Sequence, residues 1–115
     1  MGYRSEVAFA CDPIIKDVIE TVAEWCEEFK ELIEYGDDMS PDDHGRWRFD
    51  QVKWYESYTD VQVIENIMIM CDNVDLPGLA YDSYAYIRLG EEMEDVEMKG
   101  DTSAFDLYVN RSIDI

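Results

Sequence analysis

Residues 12–36 (DPIIKDVIETVAEWCEEFKELIEYG) constrain the fold most, because they combine an apolar stripe with a row of carboxylates. Asp12 is predicted to be the N-cap, Pro13 the first helical residue and Gly36 the left-handed residue past the end. The stripe recurs at spacings of three and four residues and consists of Ile14, Val18, Val22, Trp25, Cys26, Phe29 and Ile33. This periodicity predicts one long amphipathic helix whose apolar side packs against a sheet.

The opposite side of the predicted helix is acidic. Lys16 and Lys30 alone interrupt a row of six carboxylates, with Glu28 beside it: Asp17, Glu20, Glu24, Glu27, Glu31 and Glu34. At about 1.5 Å per residue the row would be roughly 25 Å long, with one charge about every 5 Å. Duplex DNA carries one charge per roughly 1.7 Å, so the helix alone cannot imitate a duplex.

The whole chain shares this excess of negative charge, with 28 Asp and Glu against 9 Lys and Arg and a net charge of −19. Such self-repulsion destabilises a compact state, so it indicates either a need for solubility or a basic partner. Nucleic acid is a poor direct ligand, because its phosphates would be repelled. Two further clusters complete the predicted partner-binding surface: Asp37 and Asp38 in the connection 36–45, and Glu91, Glu92, Glu94 and Asp95 with Glu97. Only if these clusters and the helix face one way does their charge density approach that of a duplex.

Strand and helix patterns alternate along the first two thirds of the chain. Residues 3–11 end in an apolar run typical of a buried strand, and residues 46–56 are rich in aromatic and β-branched side chains. The phase of that second strand changes midway, which predicts a bulge or a kink near residues 50–51. A capping-box pattern at residues 59–62 opens a helix over 63–74, which is apolar around most of its circumference and should be buried.

The last third of the chain reads as strands. Residues 84–89 and 93–99 form a returning pair, and residues 105–115 alternate apolar and polar side chains, which indicates a sheet with one packed face. A chain of 115 residues is one domain. The predicted fold is therefore α+β, with two helices on one face of a mainly antiparallel sheet of about five strands, in the order βαβαβββ.

No pattern for catalysis or metal binding stands out. The three cysteines show no C-x-x-C pairing, which indicates reduced core residues. The single histidine, His44, lies in an acidic connection without a nucleophile motif, and there is no glycine-rich phosphate loop. We therefore predict a protein that is not an enzyme and that needs no cofactor or metal. The absence of a signal peptide or membrane-length apolar run predicts a cytoplasmic location.

Three short segments, in this order, resemble small acidic proteins encoded by bacteriophages. They are GYRSEV at residues 2–7, KWYE at 53–56 followed by Tyr58, Asp60 and Val61, and IRLGE at 87–91 followed by Asp95, Val96 and Glu97. The resemblance covers roughly a third of the chain and leaves out the first helix and the C-terminal tail. That family has no established activity, so the resemblance implies a context only: an accessory protein made inside an infected bacterium.

Two functional hypotheses follow. The first is a non-catalytic inhibitor that binds a basic surface of a host protein, such as a nucleic-acid-handling or anti-phage defence factor, with DNA mimicry as its strongest form. The alternative is a self-assembling accessory protein, for example a homodimer, whose acidity serves only solubility. Its contacts would come from aromatic side chains, since Trp and Tyr favour interfaces: Trp47, Trp54, Tyr55, Tyr58, Tyr81, Tyr84 and Tyr86.

Overall fold

The computed structural model describes residues 4–40, 43–55, 57–73, 83–92, 95–103, 105, 107–109 and 113–114. Of these, residues 73, 108–109 and 113–114 are described by their backbone only. Within these residues the elements are β1 (Ser5–Cys11), α1 (Pro13–Trp25), α2 (Glu27–Tyr35), β2 (Asp37–Asp38), β3 (Gly45–Val52), α3 (Thr59–Asn73), β4 (Tyr84–Leu89), β5 (Val96–Gly100), β6 (Tyr108–Val109) and β7 (Ile113–Asp114). The predicted α+β class is confirmed. The order differs, because the first helix is two helices and the connection and the tail contribute short strands.

The main sheet has five strands in the order β2-β3-β1-β4-β5, and every neighbouring pair is antiparallel. β1 is central, so Cys11 lies between Gly45 of β3 and Tyr84 of β4. This position explains the apolar run of β1, because both faces of a central strand are covered. The two edges are β2, which is only two aspartates long, and β5.

The predicted bulge near residues 50–51 is confirmed. Ser5 and Val7 of β1 pair with Val52 and Phe49 of β3, so β3 has two residues where β1 has one. Gln51 takes a left-handed conformation with φ of 54°, the only such non-glycine residue among those described. The bulge switches the inward side of the strand, which accounts for the change of phase in its sequence.

All three helices contribute to one core, against one face of the sheet. Phe9 lies at its centre, with its ring centroid 6.4 Å from that of Trp47 and 6.1 Å from that of Tyr84. The predicted burial of the later helix holds for most of α3, although Ile69 is half exposed. Trp47, Trp54, Tyr84 and Tyr86 are all buried here, so these aromatic residues supply the core rather than a contact surface.

The other face of the sheet is covered by the chain after β5. Ala8, Ala10 and Ala85 present only methyl groups there, and Leu107 packs on them while fully buried. Small side chains let this irregular segment approach the sheet closely. The predicted continuous strand over 105–115 is wrong as far as the chain is described, because β6 and β7 pair only with each other as a short antiparallel ribbon.

The predicted single helix over residues 12–36 is also wrong, because the chain turns at Cys26, which is extended with φ −127° and ψ 108°. The Cys26 amide donates the last bond of α1, to Val22, and its carbonyl accepts the first bond of α2, from Lys30. The two caps differ as well: the Asp12 side chain makes no capping bond, and Gly36 has φ of −73°.

The turn at Cys26 changes which side of each helix faces the sheet. α1 buries Ile15 and Ile19 completely, one position away from the predicted stripe, and leaves Ile14 about half exposed. In α2 the buried residues are Phe29 and Leu32, and the predicted Ile33 is only partly buried. A straight helix would place Leu32 about 100° or more from Ile15 and Ile19, so the turn is needed for both helices to reach the core.

Candidate partner-binding site

The six carboxylates of the predicted acidic row lie on the outer sides of α1 and α2. At about 100° per residue, Asp17, Glu20 and Glu24 lie within an arc of about 60° on α1, opposite its buried isoleucines. On α2 an arc of the same width holds Glu27, Glu31 and Glu34. All six side chains are exposed. We call these six residues, together with Trp25, the acidic helix face.

Most of these carboxylates are unneutralised. Five of them have no hydrogen bond or ion pair within the described residues: Asp17, Glu20, Glu24, Glu27 and Glu31. The sixth, Glu34, lies 3.9 Å from Lys30, and both side chains are well exposed, so this pair contributes little. Helices α1 and α2 hold seven carboxylates against two lysines, which leaves a net charge of −5 on this side of the molecule.

The sheet shows the opposite arrangement, because three of the four cations on its strands are paired with carboxylates, and the fourth, Arg46, donates to the Phe105 carbonyl. Arg48 lies 2.7 Å from Glu6, and Arg88 contacts Asp95 through two nitrogens at 2.7 and 3.2 Å. The hydrogen bond to Asp95 raises the pKa of Arg88 above its already high ordinary value. Lys99 Nζ is likewise 2.7 Å from Glu65 on α3. Most of the described carboxylates without a partner therefore lie on α1 and α2.

Trp25 is the feature of this face that the sequence pattern misplaced. It was predicted to lie in the core, but its side chain is 86% exposed at the end of α1. The turn at Cys26 carries it away from the sheet, and Glu24 and Glu27 flank it in the chain. Large aromatic side chains are usually well covered, so this exposure makes Trp25 a candidate contact residue.

The two other predicted clusters lie elsewhere on the molecule. Asp37 and Asp38 form β2 at one edge of the sheet, where hydrogen bonding by Ser40 lowers the pKa of Asp38. Glu91 and Glu92 lie in the turn between β4 and β5, towards the start of β1, and Glu91 accepts a 2.7 Å hydrogen bond from the Arg4 amide. Asp95 is held by Arg88, and Glu94 lies outside the described residues.

A cavity of about 600 Å³ lies beside α2, next to the acidic helix face. Glu28 and Glu31 of α2 line one side, and Arg4 and Lys53 line another. Since Arg4 also binds Glu91 through its amide, the α2 carboxylates and the β4–β5 turn approach the same end of the sheet. Asp37 and Asp38 have no such link among the described contacts.

The remaining groups to consider are the single histidine, the possible metal ligands and the three cysteines. His44 lies 3.7 Å from Asp12 and 3.2 Å from Asp43, at the exposed start of β3. Within the described ranges, no three His, Cys, Asp or Glu side chains are grouped so as to hold a metal ion. The three cysteines are free thiols, and burial raises the pKa of the Cys11 thiol to about 12.

The fold and this site define a class: a small acidic α+β domain with an exposed tryptophan among unpaired carboxylates. None of the helices in the described part of the chain is long and apolar enough to cross a membrane. Comparison of the chain with protein families, curated proteins and solved structures gives no match. The resemblance to phage proteins therefore stays a prediction, and function has to be argued from the site.

Proposed function

We propose that this chain is a non-catalytic binding protein whose acidic helix face engages a basic surface of another protein. One observation carries the proposal: Arg48, Arg88 and Lys99 of the sheet are paired with carboxylates, while five exposed carboxylates of α1 and α2 have no partner among the described residues. Unpaired charges of one sign cost stability through mutual repulsion, and a partner of opposite sign relieves that cost. Such a surface steers a basic partner into contact and orients it.

Trp25 supplies what carboxylates alone lack, a contact that excludes water. Interface energy is concentrated in a few aromatic or arginine side chains surrounded by polar ones, and tryptophan is the most enriched. An arginine of the partner could lie against the indole and still reach Glu24 or Glu27, because guanidinium groups stack on aromatic faces and bind carboxylates at the same time.

The proposed partner is a host protein with a basic surface, such as a nucleic-acid-handling or defence factor, in the cytoplasm of an infected bacterium. The basic surface follows from charge complementarity, and the phage context follows from the sequence resemblance alone. Inhibition would result from covering a surface that normally binds nucleic acid. In the same proposal the protein is not an enzyme and does not bind nucleic acid itself, since its surface would repel phosphates.

DNA mimicry is the stronger form of this proposal. The turn at Cys26 divides the predicted 25 Å row into two rows, each about 10 Å long, so the charges do not follow one straight line. A duplex-like charge density then requires Glu91 and Glu92, which approach the α2 side through Arg4. Asp37 and Asp38 would join only if the partner also wraps around the β2 edge.

The test uses the intact protein and two variants as bait in bacterial lysate. The first variant, Glu20→Gln/Glu24→Gln/Glu27→Gln/Glu31→Gln, removes four charges from the acidic helix face. The matched control, Asp37→Asn/Asp43→Asn/Asp50→Asn/Asp72→Asn, removes four exposed charges that lie outside α1 and α2 and outside the β4–β5 turn. We expect the first variant alone to lose the captured partner, and capture by the intact protein to weaken steeply as salt rises, because rim charges are screened.

The affinity of a labelled arginine-rich peptide provides a defined readout. It should fall more for the helix variant than for the control, and Trp25→Ala should weaken it by about tenfold or more, the effect of a hot-spot residue. Equal losses in both four-charge variants would show that net charge, not this face, determines binding. A partner retained unchanged at high salt would also contradict the proposal.

A further inference from the structure

Among the residues that the structure describes, nothing pairs with the outer side of the edge strand β5. β2 ends its side of the sheet with two aspartates, whereas β5 has five residues, no proline, and two exposed apolar side chains. Val96 is 41% and Met98 is 53% exposed, on the face opposite the helices. A strand with these properties is a template for pairing with another strand.

The hydrogen-bond pattern shows which backbone groups of β5 face outward. Gly90 N–H donates to Asp95 at 2.8 Å, and Asp101 N–H donates to Tyr84 at 3.0 Å, so both pairs are hydrogen-bonded positions of the β4–β5 ladder. Such positions alternate along an antiparallel pair. Glu97 and Lys99 therefore bond to β4, and Val96 and Met98 direct their N–H and C=O groups to the open edge.

We propose that β5 pairs antiparallel with β5 of a second copy of this chain, about a two-fold axis at Met98. In this register the two Met98 residues exchange both outward hydrogen bonds, and their apolar side chains meet. Glu97 then lies opposite Lys99 of the other copy, twice, at the positions where side chains approach most closely.

The charges select this register over its neighbours. An axis at Glu97 would oppose two glutamates, and an axis at Lys99 two lysines, both of which are destabilising. Glu97 and Lys99 already lie on one side of the sheet, where Glu97 accepts a hydrogen bond from Tyr86 and Lys99 contacts Glu65. The new pairs would thus extend an existing network of alternating charges across the two-fold axis.

The dimer should be weak and should strengthen with salt. A five-residue strand covers less than the about 800 Å² per partner of a stable interface, and two chains of charge −19 repel each other. Added salt screens this long-range repulsion but leaves the backbone hydrogen bonds. This dependence is opposite in sign to that of the proposed binding to a basic partner, so the two proposals can fail independently.

The experiment is sedimentation velocity of the full chain over a range of concentrations, at about 0.05 M and about 0.5 M NaCl. We expect a shift from 13.5 kDa towards twice that mass, larger at high salt. Met98→Pro should lower the association constant by about tenfold or more, because it removes an outward N–H without breaking the β4–β5 ladder. Ile69→Gln is the control, because Ile69 is 52% exposed on α3, away from β5, and the substitution changes no charge, so association should be unchanged.

Amide exchange by NMR keeps the test decisive if Met98→Pro fails to fold. The amides of Glu97 and Lys99 should be protected at all concentrations, whereas those of Val96 and Met98 should become slower only as concentration rises. A monomer at every concentration and salt, or Val96 and Met98 exchange that is independent of concentration, would overturn the proposal. An equal loss of association in Ile69→Gln would also overturn it.

Discussion

Trp25 and Phe29 are four residues apart in one predicted apolar stripe, and alanine substitutions should separate them sharply. Trp25 is 86% exposed, so only about one seventh of its side chain is covered. Of roughly 250 Å² for an indole, that is about 35 Å², which contributes about 0.9 kcal/mol at 25 cal/mol per Å². The better helix propensity of alanine offsets about 0.5 kcal/mol, so Trp25→Ala should cost well under about 1 kcal/mol.

Phe29 is fully buried between α2 and the sheet, and its truncation also leaves a cavity. Phe29→Ala should therefore cost about 3–5 kcal/mol. Urea unfolding, followed by circular dichroism so that the loss of an indole does not affect the signal, measures both. With a slope of roughly 1–1.5 kcal/mol per M, the midpoints of the two variants should differ by about 1.5 M or more. Equal destabilisation would mean that Trp25 is packed, and it would refute both the turn at Cys26 and the anchor role.

Three further predictions concern the sheet and the thiols. Gly100→Ala should destabilise the fold by about 2 kcal/mol or more in urea unfolding, because Gly100 has φ of +73° and an added Cβ would lie 2.3 Å from the Tyr84 carbonyl oxygen. Stability should fall as pH rises from about 9 to about 12, because an unfolded thiol releases its proton in that window while burial raises the pKa of Cys11 to about 12. A thiol reagent should modify the partly exposed Cys26 in the folded protein and reach Cys11 and Cys71 only on unfolding. Reaction of Cys11 at the rate of Cys26 would contradict its burial.

Local patterns predicted those parts of the fold that depend on local chemistry. The aromatic strand with its change of phase required a bulge, and the structure has one at Asp50 and Gln51. The start of α3 at Thr59 also followed from its capping-box sequence. In contrast, no glycine or proline marks the turn at Cys26. Ile15 and Ile19 form a second apolar stripe, one residue along from the predicted stripe of Ile14 and Val18, and Leu32 is out of phase with Ile15 and Ile19. Periodicity alone could not show which of the two stripes faces the core.

The candidate site also contains residues that the sequence predicted and one that it placed wrongly. The sequence contained the six carboxylates of the acidic helix face, and their spacing was enough to place them on one side of a helix. Trp25 was assigned to the core, since an aromatic residue at helical spacing is usually buried. Arg48, Arg88 and Lys99 pair with carboxylates because the fold brings distant parts of the chain together. No local sequence pattern could therefore show that these cations neutralise carboxylates of the sheet and of α3 rather than those of α1 and α2.

The α+β class, the buried apolar strand at residues 3–11 and the large excess of negative charge followed from the sequence alone, because each depends on composition or on short-range periodicity. Three other properties depended on the tertiary structure: which carboxylates remain unpaired, which tryptophan is exposed to solvent and which strands form the edges of the sheet. These properties depend on contacts between residues far apart in the chain. One turn at Cys26 rotates a whole helix relative to its neighbour, and the identity of the local residues does not reveal it.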